Sequence, residues 1–581
     1  MKNIFLSTVI SSALIFGVTG CGNDKDKSIS TLKVQKEVQK VSSSDRKNIL
    51  ENKIKSYAEY GFDINKTSSK NYIFTLKEPK KVIETLLGVF NLNFSLDNQD
   101  REELIKLLQD TKFNVNVDWD KYASNQPHSI EVALLGKKDN HKSIDKFLKD
   151  KKLGAYLTYD MQDKLTKIDF KDIEDKLFNA DSNKTAYINL KNTFIDVKST
   201  TVYDFKSQKF EFKIADEFNS SVEIGYKDAE CNVDKKSLLF GSQKCQIPNV
   251  YFVISEDGIG ANKINLNGIT TLYSLIKKNS KVSEDAEFGI KSIDFKDTDI
   301  KDIKVSINLE NIDANIMKQY EDMITNISDD YKSDMKKVLL LAGKIYQNGV
   351  VLKYNASMNS FKLLSDGVNF EIDGYNGHGE TTFDNNITHS DKSIINNIIV
   401  SDSTNAKNAF VLRNFEFNYG IRDLYNFMPE VLESISEIQF EDNATKAQMA
   451  FNDSVIGIAE DIVHNGLNVY IDALGFDNMT FSDAGARYSL DKTHFDLDVK
   501  LQKNDLKLDA NNPMTSMMLL SYLKADGKFV VPAKDLQTLA QKPELAMLGM
   551  LMMMAKLEGD NAVFIIKFEN GKLLVNGQPM M

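Results

Sequence analysis

The sequence predicts an α+β protein: a mainly antiparallel β-sheet with packed helices and tandem repeated units in its C-terminal half. Three observations predict it. Apolar and polar residues alternate in short stretches along the chain, helical patterns stand between those stretches, and the C-terminal half matches itself at a shift of 117 residues. The alternation is clear at Phe113-Val115-Val117-Trp119, Phe210-Phe212-Ile214, Val222-Ile224-Tyr226, Phe415-Phe417-Tyr419 and Phe495-Leu497-Val499-Leu501. A period of two puts these side chains on one strand face, as in half-buried antiparallel strands. Helical patterns are expected at 97–108, which has an acidic first turn, and at Ile316-Tyr320-Met323-Ile324-Ile327 behind Asp313 as N-cap. A third is expected at 519–523.

The internal match places Ala342-Gly343-Lys344-Ile345-Tyr346-Gln347-Asn348-Gly349 on Ala459-Glu460-Asp461-Ile462-Val463-His464-Asn465-Gly466. Farther on, Ser365-Asp366 falls on Ser482-Asp483. Each unit, at about 290–400 and 401–510, reads as strand, helix, Asn-Gly turn, strand, Ser-Asp turn, strand. Pro513 then precedes a methionine-rich helix, and a second one carries Met547, Met550, Met552, Met553 and Met554. Strands at 562–568 and 572–575 close the chain around Glu569-Asn570-Gly571.

With 581 residues, 42% of them hydrophobic and 27% charged, and only eight prolines, the chain has room for two to four folded domains and no long proline-rich arm. Its formal charge of −11 opposes binding to nucleic-acid phosphates. At the start, Lys2 and the mostly apolar stretch 4–18 make an export leader too short to span a bilayer. It ends at Val18-Thr19-Gly20-Cys21, which resembles the lipobox of bacterial lipoproteins. That resemblance implies cleavage before Cys21 and its acylation, anchoring the chain to a membrane far more firmly than one acyl chain does. Gly22, in the place of a retention Asp, implies an outer-membrane lipoprotein facing the periplasm or the cell surface. The polar run from Asn23 to Ser28 and Ser42-Ser43-Ser44-Asp45 read as a tether over 21–50. Only Cys231 and Cys245 remain, and in an oxidising compartment a disulfide between them is expected, with two buried free thiols as the alternative.

The ending Gly571-Lys572-Leu573-Leu574-Val575-Asn576-Gly577-Gln578-Pro579, the Asn-Leu-x-Asn-Ile-Asp phrase at 308–313 and the Ser365-Asp366-Gly367 turn resemble the YdgA-like family of bacterial envelope proteins. The resemblance is clearest over 290–581. It implies an envelope location and a repeated strand-rich fold, and it brings no assigned activity and no catalytic residues. Members of that family are typically held by an uncleaved transmembrane helix, whereas this chain shows a lipobox. The expected layout is a leader at 1–20, the tether at 21–50, an N-terminal α+β domain at 51–285 and a YdgA-like domain at 286–581.

No Gly-x-Ser-x-Gly elbow, phosphate-binding Gly-Lys-Ser/Thr loop or His-Glu-x-x-His helix occurs in the sequence. His378 with Glu380, near Asp373 and His389, is the one local cluster of ligand-type side chains, and it reads as a polar hairpin. His494, Asp496 and Asp498 read as the polar side of an amphipathic strand. Interleaved lysines make the acidic runs at 172–175 and 297–302 solvated faces rather than calcium loops. No metal or cofactor is therefore expected. Methionine lines surfaces that accept varied apolar partners, so Met547, Met550, Met553 and Met554, with Leu545, Leu548 and Leu551, are candidates for a lipid or peptide groove. Filling the core beneath the last hairpin is the simpler role for them. The expected function is a non-catalytic binding or assembly module. A carrier of lipid or other hydrophobic molecules is the alternative, and an uncharacterised hydrolase is a lesser one.

Overall fold

The computed structural model describes residues 43–56, 58, 61–81, most of 102–136, and 153–580 apart from 162–163, 180–183, 200, 217–219, 238, 257–259, 326–330, 405–407, 441–443, 484–485, 509–512 and 542–546. The expected leader, Cys21 and most of the expected tether lie outside the described residues, as does the start of the helix expected at 97–108. Contacts divide the chain into units 1–265 and 266–581.

In the first unit, short strands β1 (Phe62–Lys66), β2 (Asn71–Leu76), β3 (Lys112–Val117), β4 (His128–Gly136), β5 (Gly154–Tyr159), β6 (Leu165–Phe170) and β7 (Ile173–Asn179) lead to longer ones. These are β8 (Lys184–Val197), β9 (Val202–Ala215), β10 (Ser221–Lys235) and β11 (Gly241–Glu256). All described pairings are antiparallel. Helices α1 (Ser43–Ser56) and α2 (Trp119–Ala123) pack on each other. Ile54, Phe62, Phe74, Leu76, Val117 and Trp119 form the main core.

The boundary between the units falls within β12 (Gly260–Lys278). Then follow β13 (Lys281–Phe295), β14 (Thr298–Asp313), α3 (Ala314–Thr325), α4 (Tyr331–Ile345), β15 (Val350–Ser365), β16 (Val368–Phe383), β17 (Asn386–Asp402) and β18 (Ala409–Tyr425). Next come α5 (Met428–Phe440), α6 (Ala444–Asn465), β19 (Leu467–Asp483), β20 (Ala486–Leu501), α7 (Pro513–Tyr522), β21 (Leu523–Pro532), α8 (Ala533–Ala540) and α9 (Met547–Met554). Strands β22 (Lys556–Glu558), β23 (Asn561–Glu569), β24 (Lys572–Val575) and β25 (Gln578–Pro579) end the chain. Asp366-Gly367 and Asn570-Gly571 close the β15–β16 and β23–β24 hairpins with both residues at positive φ, as the twist of a two-residue turn requires. The helix pairs α3–α4 and α5–α6 each interrupt the meander between one long strand and the next. They cover the sheet where Val282, Leu309, Ile312, Val350, Phe383 and Ile387 are buried.

The α+β expectation is corrected. Strands make up 64% and helices 21% of the described structure, so both units are mainly antiparallel β rather than a helix-packed α+β fold. The physical reason is strand length. Strands β8 to β20 run 14 to 19 residues, about 50 Å each at roughly 3.3 Å per residue, against a usual length of about five or six. The helices therefore reach only part of each strand.

A seam makes each long strand look short in sequence. In the second unit Lys291, Asp302, Asn359, Gly374, Asn396, Asn414, Asp477 and Lys492 stand opposite one another on successive strands, and the hydrogen-bonded ladder skips this row in every pair. Alternate strands turn left-handed there: Asp302 (φ 52°), Gly374 (66°), Asn414 (50°) and Lys492 (31°). Asn, Asp and Gly tolerate that conformation best. Side-chain amides bridge the row, Asn359 Nδ2 donating to Asp302 Oδ2 at 2.6 Å and Asn414 Nδ2 to Asp477 Oδ2 at 2.8 Å. The first unit has its own row, with Asn192 and Asp228 left-handed on β8 and β10. At the seam the apolar alternation changes phase by one residue, from Ile300 to Ile303 and Val305 in β14, and from Leu412 to Phe415 and Phe417 in β18. A single strand thus reads as two shorter strands separated by turn residues, 298–301 and 303–313 in β14 and 409–413 and 415–425 in β18.

Candidate binding surface

On the helix-proximal side of the seam, register fixes which side chains share a face. Phe288, Val305, Ala356, Gly377, Ser393, Phe417, Leu474 and Phe495 form one row across β13 to β20. Ala286, Ile307, Tyr354, Gly379, Asp391, Tyr419, Ile471 and Leu497 form the next. The opposite face is polar, with the row Glu287, Ser306, Asn355, His378 and Lys392 and cross-strand ion pairs Lys353 to Glu310 (2.8 Å) and Lys392 to Glu416 (2.9 Å). A concavity of 730 Å³ is lined by residues of both sets, Lys304, Asn355 and His378 together with Phe288, Val305 and Ala356. Helices cover the apolar face only at its end. Away from them Phe288 is 43% exposed and Ile307 46%.

Three glycines on the sheets stand directly opposite tyrosines: Gly225 and Tyr251, Gly379 and Tyr354, Gly420 and Tyr470. Each tyrosine ring lies where a Cβ on its glycine would stand, so the ring shields a strand position that has no side chain. Tyr375 leans over Gly377 in the same way.

One polar island interrupts the apolar rows. On β17, Ile387, His389, Asp391, Ser393 and Ile395 alternate onto one face. Asp391 is only 7% exposed, and its carboxylate accepts one hydrogen bond, from Ser393 Oγ at 3.2 Å. Among the described residues no cation pairs with it, and Lys392 belongs to the other face. The His389 ring meets Thr381 Oγ1 at 2.9 Å and lies 5.6 Å from the Tyr419 ring, which stacks on Phe417 at 5.1 Å. Burial pushes the Asp391 carboxyl above its ordinary range, with Ser393 opposing, and pushes the His389 imidazole below its own. Tyr419 is raised by burial first and then by Asp391. His389, Asp391 and Ser393 do not form a nucleophile–base relay, because the imidazole engages Thr381 instead.

A second acid, the half-buried Glu284, lies near the helices. Burial raises Glu284, against a hydrogen bond from Tyr273, and Tyr273 is itself pushed up to about 12 by burial and then by Glu284. Tyr320 and Tyr346 are raised chiefly by burial in the same neighbourhood.

Asp391 gives a pH-dependent prediction. Its folded carboxyl titrates above its unfolded value, so its contribution to stability is fully present below the unfolded pKa and is lost as pH rises through the folded one. The titratable groups around it are His389 on its own strand, Tyr354 and Tyr375 on β15 and β16, and Tyr419 on β18. Asp391→Asn is expected to stabilise the fold by about 1–2 kcal/mol at pH 8, the scale of relieving a buried, poorly paired polar group, and to change it little near pH 4. Urea denaturation at both pH values checks this, and equal effects at the two would count against it.

The other candidate residues are dispersed. Cys231 and Cys245 face each other across β10 and β11, their Cα atoms 4.0 Å apart, and are joined by a disulfide. Met554 packs with Met552 on Val531, Leu536 and Phe564, whereas Met553 is 79% exposed. Leu545 and the side chains of Met547, Leu548, Met550 and Leu551 lie outside the described residues. His378 and Glu380 occupy the polar face and His389 the apolar one, so register separates that sequence cluster. His494 Nε2 lies 3.8 Å from Asp496 Oδ2 on an exposed strand face. Among the described residues, no three His, Cys, Asp or Glu side chains are placed to hold a metal ion, and no helix is long and apolar enough to cross a membrane.

Sequence reading missed Asp391 and Ser393. The available signal was period-two continuity from Ile387 to Ile395, which puts a carboxylate on a face that is apolar at both ends. No protein-family model, curated protein or solved structure matches the chain significantly.

Proposed function

We propose that this chain is a bacterial cell-envelope protein held to a membrane through an acylated Cys21, and that its body is a non-catalytic binding protein carrying hydrophobic molecules on the apolar face of β13 to β20. One observation carries the binding role: the apolar rows continue beyond the helices that cover their end and leave Phe288 and Ile307 in solvent. An extended apolar surface of this kind marks an interaction site. An acyl chain fits it, because side chains in a row across neighbouring strands stand about 4.8 Å apart and can contact a chain over several methylene lengths. The lipobox and the resemblance to the YdgA-like envelope family support the location.

Native mass spectrometry of the body purified without its leader tests the carrier role. Co-purifying lipid is expected and should be lost in Ile307→Glu, which puts a charge on the track. A clean apo mass, with no uptake of added dodecanol, would refute it. For the anchor, labelled palmitate should enter the wild-type chain and not Cys21→Ala; label in both, or in neither, refutes acylation at Cys21.

A further inference from the structure

Resting on the carrier reading, and naming the ligand class of the same surface, we propose that the island around Asp391 recognises a positively charged ammonium head at the end of an apolar chain. The chemistry follows from what surrounds the acid. Along one cross-strand row stand Tyr354, Gly379, Asp391 and Tyr419, and because Gly379 has no side chain the Tyr354 ring leans across it toward the carboxylate. From one row farther along β16, Tyr375 leans over Gly377, which stands opposite Ser393, the residue that donates to Asp391. Tyr354 and Tyr419 therefore flank, in one row, the carboxylate of a residue that is over nine-tenths buried, with Tyr375 near the Ser393 that donates to it and no cation paired with it among the described residues.

Each part of this arrangement is unfavourable alone and is compensated by the same ligand. A buried, unpaired carboxylate is destabilising, and an opposite charge within about 4–6 Å restores its ionised form. Ring faces attract an ammonium strongly once water is excluded, which is how aromatic cages hold alkylated amines. An anionic head would meet Asp391 as a like charge, and a hydroxyl head would leave that charge unneutralised. The apolar rows through Ile307 and Val305, and through Phe417 and Leu474, run away from the island on both sides and take the chain.

The test compares dodecylamine, dodecanol and dodecanoate at pH 7 by titration calorimetry against the leaderless body. Dodecylamine is expected to bind about tenfold more tightly than dodecanol, the scale of one desolvated ion pair with cation–π support. Asp391→Asn should remove that preference, bringing dodecylamine to the affinity of dodecanol in the same variant, and Tyr354→Leu should reduce the preference partially. Equal affinity for all three heads, or a loss of dodecanol binding equal to the loss of dodecylamine binding in Asp391→Asn, overturns head-group recognition while leaving the carrier role standing. Failure of all three compounds to bind overturns both.

Discussion

Phe564→Ala is expected to destabilise the second unit by about 3–5 kcal/mol, the range for deleting a buried aromatic side chain. Phe564 sits on β23 in a cluster with Val531, Leu536, Ala562 and Val575, and its ring lies 5.8 Å from Phe529. The Phe529 ring is in turn 6.5 Å from Phe495, so the aromatic row crosses from β20 to β23. Removing the middle of a dense cluster leaves a cavity that strands held by neighbours on both sides cannot collapse to fill. The substitution also tests the role of the methionine-rich helix. Met552 and Met554 pack on this cluster, and Met, the most adaptable apolar side chain, would follow the loss and soften it. A cost below about 1 kcal/mol, read from urea denaturation by far-ultraviolet circular dichroism, would show that α9 refills the space and that the cluster is plastic rather than a fixed core.

Breaking the disulfide, by reduction or by replacing both Cys231 and Cys245 with Ser, is expected to cost about 3 kcal/mol in the loop-entropy model for a closure of this length. The two residues lie 14 apart in sequence and directly opposite on β10 and β11. Cys231 continues a row through Phe205 and Ile195, so the bridge also pins register beside the cluster of Ala155, Leu157 and Ile168. The chain's single tryptophan, Trp119, is buried in the core of the same unit, and its fluorescence follows unfolding there. A midpoint in urea that ignores reductant would overturn the prediction. So would two reactive thiols in the denatured, unreduced body.

The parts of the fold legible in sequence were those set by neighbours along the chain. Alternation located strand segments correctly at Phe210-Phe212-Ile214 and Phe415-Phe417-Tyr419, because a pleat repeats every two residues whatever lies across from it. The Asp-Gly and Asn-Gly turns were legible for the same local reason. Strand length was not. Asn192, Asp302 and Asn414 carry turn chemistry and break the alternation, yet here they sit inside continuous strands and make the seam. Only pairing with both neighbours holds a left-handed residue within a strand, and sequence spacing does not record that pairing.

What the sequence determined by itself was therefore the strand character, the turns and the cysteine count, all functions of residues a few positions apart. The tertiary structure decided which side chains meet. Cross-strand register put Asp391 among Tyr354, Tyr375 and Tyr419, residues 16 to 37 positions away from it in the chain, and sent His378 and His389 to opposite faces although they are near in sequence. The physical reason is that alternation fixes the face of a residue only within its own strand. The alignment of one strand with the next comes from summed burial and hydrogen bonding over its whole length.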